Sequence, residues 1–116
     1  MVVDPLSFCR REVREVLEPL GYRVAEASSL AEAEDLLREL DPEMVILEIL
    51  LPDGDGLELI RRARKERRKA RFIVLSAACG EEEVRAAIRR GAEDFLAKPL
   101  DPRRLEMALE GRKCSA

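Results

Sequence analysis

Histidine, tryptophan, asparagine, glutamine and threonine are all missing from this 116-residue chain, and aromatic residues make up only 3% of it. With no imidazole, neither a Cys/His zinc centre nor a histidine-activated serine or cysteine nucleophile can be built. The three cysteines, Cys9, Cys79 and Cys114, are odd in number and widely spaced, so reduced thiols are expected. Ser76 has no Gly-x-Ser-x-Gly elbow around it, which argues against hydrolase chemistry, and the glycines lack the spacing of a P-loop or a dinucleotide fingerprint. Apolar runs stay far short of the roughly 20 residues that span a bilayer, and the N-terminus lacks a basic segment followed by an apolar one. No membrane association and a cytoplasmic location are expected. Nor does one sign of charge dominate: 24 acidic against 21 basic residues leave −3, which gives no general attraction to nucleic acid or anionic membrane.

Hydrophobic residues make up 47% of the chain and charged residues 39%. The first fraction suffices for one ordinary core, so residues 1–116 are expected to form a single domain. The second, with the amides absent, fits heavy use of surface ion pairs. One stretch organises the rest. Met44-Val45-Ile46-Leu47 is apolar, Glu48 interrupts it, and after Ile49-Leu50-Leu51 the chain breaks into Pro52-Asp53-Gly54-Asp55-Gly56. A strand buried on both faces delivers a charged side chain to its carboxyl end in this way.

Residues 1–4 predict a first strand, one that is short unless the chain start lies upstream of Met1. Ser7 is placed to cap a helix whose apolar stripe is Cys9, Val13, Val16, Leu17 and Leu20, with Gly21 ending it. Residues 22–27 predict a second strand, and Ser28 or Ser29 caps a helix carrying Leu30, Ala33, Leu37 and Leu40. Asp41-Pro42 stops that helix. After the Glu48 strand, Leu57, Ile60 and Ala63 open a third helix, with Asp55 as its cap and Gly54 and Gly56 supplying backbone freedom in the turn. Residues 72–76 predict a fourth strand, Val84, Ala87 and Ile88 a fourth helix, and residues 94–97 a fifth strand. Asp101-Pro102 opens the last helix, with proline in its first turn. Five alternations of strand and helix predict a doubly wound, five-stranded parallel α/β sheet with helices on both faces.

Four motifs in order carry a family resemblance: Val2-Val3-Asp4, the run from Val45 to Leu59, Val74-Leu75-Ser76-Ala77, and residues 91–99 ending in Lys98-Pro99. Together they cover nearly the whole chain, which resembles the receiver domain of two-component response regulators. The resemblance implies a flavodoxin-like sheet of order 2-1-3-4-5, with its site at the carboxyl ends of the strands. It also implies phosphorelay signalling rather than enzyme activity, with a histidine kinase or a downstream effector as partner. In that family a central aspartate accepts a phosphoryl group beside Mg²⁺, and a hydroxyl and a lysine hold the phosphoryl oxygens. Carried over, the phosphoacceptor position is Glu48, the first acid is Asp4, the switch hydroxyl is Ser76, the switch aromatic is Phe95, and the site lysine is Lys98, followed by Pro99 in a cis bond.

Two positions depart from the pattern. Glu48 is one methylene longer than aspartate, and Pro5 falls where the family has its direct metal ligand. A metal site reduced to Asp4, Glu48 and the Leu50 carbonyl predicts no physiological metal, and no cofactor is expected. A Glu48 ion pair with Lys98 and a hydrogen bond from Ser76 would imitate part of the phosphorylated state. Alternatively Glu48 merely fills a site that has lost its chemistry, or the chain still accepts phosphate with Mg²⁺. A cofactor-binding flavodoxin is disfavoured, because Asp4-Pro5-Leu6-Ser7 lacks a small polar run to wrap a phosphate.

The basic stretch from Arg61 to Arg71 reads as a solvated helix end, cations late in a helix being favoured by its dipole; specific nucleic-acid binding is not expected. The face of the fourth helix, fifth strand and last helix would present Arg85, Arg89, Asp94, Arg103, Glu106 and Glu110. That is a mixed-charge set able to pair across a two-fold axis in a homodimer.

Overall fold

The computed structural model describes residues 1–111, so Cys114 lies outside the described residues. In chain order the elements are β1 (Val2–Val3), α1 (Ser7–Leu17), a single 3₁₀ turn (Glu18–Leu20), β2 (Glu26–Ala27), α2 (Leu30–Leu40) and β3 (Met44–Leu47). There follow β4 (Leu50–Leu51), β5 (Gly54–Asp55), α3 (Leu57–Lys65), β6 (Arg71–Ser76), α4 (Glu81–Arg90), β7 (Asp94–Ala97) and α5 (Pro102–Leu109).

The large sheet has the order β2-β1-β3-β6-β7, all parallel, which in sheet-strand numbering is 2-1-3-4-5. Period-two alternation splits its side chains between two cores. Val3, Val45, Leu47, Phe72 and Val74 face α2, α3 and α4, where they meet Leu37, Ile60, Ala63 and Ala87. Val2, Ile46, Ile73, Leu75 and Leu96 face α1 and α5, where they meet Val13, Leu17, Leu105 and Leu109. Both faces are covered, so the strands read as nearly unbroken apolar runs.

Several boundaries differ from the sequence expectation. The cap of α1 is Leu6 and carries no side-chain bond; Ser7 is already helical. The stripe ends at Leu17, because the 3₁₀ turn advances by a wider angle per residue and rotates Leu20 off it to 53% exposure. Leu40, the last residue of α2, and Ile88 on α4 are also exposed, and only Ala87 of α4 is fully buried. The second strand is confined to Glu26–Ala27, the two residues that pair with β1. Elsewhere the caps fall as read: Ser29 accepts from the Glu32 amide, and Asp101 accepts from the Arg103 amide with Pro102 next.

The β4–β5 ribbon, a small antiparallel pair in the loop after β3, was not anticipated. Asp53 at its tip accepts from the Leu30 and Ala31 amides at 2.7 and 2.9 Å, tying the loop to the start of α2. Asp55 accepts from the Leu57 amide at 2.9 Å and so takes a capping role, although Gly56 is the residue that flanks the helix.

Candidate functional site

Parallel pairing brings four strand ends into register. The Asp4 amide donates to Ala27 O, the Glu48 amide to Val3 O, and the Lys98 amide to Ser76 O, each at 2.9–3.0 Å. Asp4 follows β1, Glu48 follows β3, Ser76 closes β6 and Lys98 follows β7. Backbone order alone therefore converges residues spread over most of the chain. Asp4, Glu48 and Ser76 are 3%, 4% and 0% exposed, and the Lys98 side chain is largely buried.

Lys98 Nζ lies 2.7 Å from Asp4 Oδ2 and 2.9 Å from Glu48 Oε1, so one ammonium bridges both carboxylates. The Ser76 hydroxyl donates to Glu48 Oε2, and the Leu50 amide reaches the same oxygen at 3.2 Å. Asp4 Oδ1 accepts from the Leu6 amide at 2.9 Å. Ser76 Oγ in turn accepts from the Ala78 amide at 3.0 Å, which fixes the hydroxyl rotor toward Glu48. The Lys98–Pro99 bond is cis.

Burial works against a charged Glu48, but the Ser76 hydroxyl, the Lys98 ammonium and the Leu50 amide outweigh it and hold the carboxyl below its ordinary value. Burial likewise works against a charged Lys98. The Asp4 and Glu48 carboxylates more than offset that and raise the ammonium above its ordinary value. Both groups are therefore charged throughout the neutral range.

The structure thus brings Asp4, Glu48, Ser76 and Lys98 together. It does not bring in Phe95, which is half-buried against the core beneath α4, nor Pro99, which is exposed. Leu50 takes part through its amide, as a donor to Glu48, a role the sequence reading did not assign. Gly56 was also read differently. Its φ of −57° needs no special freedom, but a Cβ there would stand 2.1 Å from the Glu48 carbonyl oxygen. Only glycine admits this approach of the loop to the Glu48 backbone.

A model of the response regulator receiver domain matches residues 1–110. The chain belongs to the response-regulator receiver family. The chemotaxis protein CheY of Thermotoga maritima is 36% identical over 110 residues, covering 94% of this chain and 92% of that one. Among solved structures, the receiver domain of NtrX from Brucella abortus superposes with a TM-score of 0.86 at 31% identity, over 94% of this chain and 92% of that one. A response regulator from Burkholderia pseudomallei, solved with a phosphorylated aspartic acid, a calcium ion and citrate, gives a TM-score of 0.84 at 28% identity, over 93% of this chain and 64% of that one. Receivers are signalling modules that interact with histidine kinases and effector domains, and the sheet order of this chain is that of the family.

The divalent cation that the family implies finds a poor donor set here. All four carboxylate oxygens of Asp4 and Glu48 already have protein partners. Pro5 offers no ligand, and among the described residues no three His, Cys, Asp or Glu side chains cluster to hold a metal. The residues present do not fit the ion. No helix among the described residues is long and apolar enough to cross a membrane.

Proposed function

We propose that this receiver signals through protein contacts without being switched by a phosphoryl group, Glu48 being a fixed charge where relatives gain and lose one. The observation that carries this reading is that both oxygens of Glu48 have protein partners: one accepts from Lys98, the other from Ser76 and the Leu50 amide. An acceptor carboxylate attacks phosphorus with an oxygen lone pair, and three of the roughly four acceptor sites of Glu48 are taken by Lys98, Ser76 and the Leu50 amide. The same contacts are those that would hold phosphoryl oxygens. A glutamate supplies one negative charge, against about −1.5 to −2 for a phosphoryl group, so the imitation is partial.

On this reading the chain is a single cytoplasmic domain over residues 1–116, is not an enzyme, and needs no cofactor. Ser76 and Lys98 hold Glu48 in place. Its output is binding of a signalling partner, a kinase or a downstream effector, or of a second copy through the face bearing Arg85, Arg89, Asp94, Arg103, Glu106 and Glu110. The rival is a receiver that still accepts phosphate on Glu48 with Mg²⁺. Incubation with acetyl phosphate and Mg²⁺, followed by intact mass spectrometry, separates the two. The mass should stay unchanged; a stable phosphoryl adduct mapped to Glu48 would overturn the proposal.

A further inference from the structure

We infer that the Lys98 ammonium is the resident cation of this site, occupying the role that a divalent ion has between the acids of other receivers. The inference rests on the reading of Glu48 as a fixed charge and extends it to the metal. Three observations support it. First, Lys98 Nζ sits between the two acids at 2.7 and 2.9 Å, the place from which a bridging cation would neutralise both. Second, the oxygens turned away from Lys98 are engaged: Asp4 Oδ1 by the Leu6 amide, Glu48 Oε2 by Ser76 and Leu50. A divalent ion drawing on both acids would compete with the ammonium and with those bonds.

Third, the charge balance favours the lysine. Asp4 and Glu48 contribute −2 and Lys98 +1, leaving −1 in a cleft whose next position, Pro5, has no carboxylate. Mg²⁺ gives up its water reluctantly and demands near-octahedral oxygen geometry. An ammonium needs only hydrogen-bond acceptors, and two lie within reach of Lys98 at ordinary distances. Proline at position 5 removes one oxygen donor and Lys98 bridges the two acids that remain, so the covalently attached cation stands in for an exchangeable one.

The test compares the unaltered chain with the Lys98→Met variant, using Mg²⁺ and the paramagnetic ion Mn²⁺ as probes. In the unaltered chain, millimolar Mg²⁺ should leave the melting midpoint unchanged, and Mn²⁺ should not selectively broaden the amide signals of Leu50 and Ser76. In Lys98→Met the two acids face each other without a counterion, so millimolar Mg²⁺ should raise the midpoint, or restore folding where the variant is unfolded alone. Selective broadening in the unaltered chain, or a variant on which Mg²⁺ has no effect, would overturn the inference. A metal-binding chain that stays unphosphorylated would sink this inference and leave the proposed function standing. A chain phosphorylated on Glu48 would overturn both.

Discussion

Removing either charge at the strand ends has a different consequence for the fold. Lys98→Met leaves two buried carboxylates without a counterion, a loss that typically costs about 3–5 kcal/mol. Glu48→Gln leaves Lys98 paired with Asp4 and should cost about 1–3 kcal/mol near neutrality, the range for a buried group deprived of a charged partner. The pH dependence follows from the signs of the two shifts. Glu48 is depressed below its ordinary 4.5, so its contribution is present above that pH and is lost as pH falls through the folded-state value. Lys98 is raised above its ordinary 10.5, so its contribution is present below that pH and is lost only in stronger alkali. The Glu48 and Lys98 contributions should therefore be constant between about pH 6 and 9, while the buried Met1 amine, lowered from 8.0 to about 6, makes urea midpoints rise with pH from about 6 to 8. Below about pH 4.5 the midpoints should fall further, and Glu48→Gln should flatten that acid limb. Identical acid limbs in the two proteins would show that Glu48 carries no depressed titration. Glu48 and Lys98 could be read from the sequence because each interrupts an apolar strand at its carboxyl end. The role of the Leu50 amide could not, since every residue has an amide and only the turn decides where it points.

At the scale of elements, the loop after β3 decides whether Glu48 is held still. Within it the Gly56 amide donates to the Ile49 carbonyl at 2.7 Å, and the β4–β5 ribbon and the Asp53 hydrogen bonds to α2 anchor the rest. Gly56→Ala would force the loop away from the Glu48 carbonyl. A cost of about 1–3 kcal/mol is expected, as for overpacking, together with loss of the Ser76–Glu48 contact. The check is a denaturant melt with chemical shifts at Ser76 and Ala78. Unchanged stability would mean that the loop has another resting place. Helix and strand identity was legible from periodicity, as in the stripe of Leu57, Ile60 and Ala63 that is buried in α3. The ribbon was not, since two-residue strands carry no period. Nor was the exposure of Ile88, because its neighbour Ala87 makes the contact and leaves the larger side chain on the flank of α4.

Over the whole molecule, the high charge fraction resolves into local networks rather than one charged face. Glu26 joins Arg10 and Arg14 across α1 and β2, and Arg68 joins Glu66 and Asp41 at the opposite end of the sheet. Most of the basic stretch is tied down in this manner. Arg61 and Arg62 pair with Glu58 and Glu34, Arg64 donates to the Arg68 and Ala70 carbonyls and lies over the Phe72 ring, and Arg71 pairs with Glu93. These contacts agree with the reading of the stretch as structural surface charge.

A domain held in one state by its own Glu48–Lys98–Asp4 bridge should not respond to a phosphoryl mimic. Beryllofluoride with Mg²⁺, a phosphoryl mimic, tests this most directly when amide spectra of the entire chain are compared before and after addition. Superimposable spectra are predicted, with Glu48, Ser76 and α4 unmoved. A new set of shifts spreading from Ser76 through α4 and β7 would show a domain that still switches.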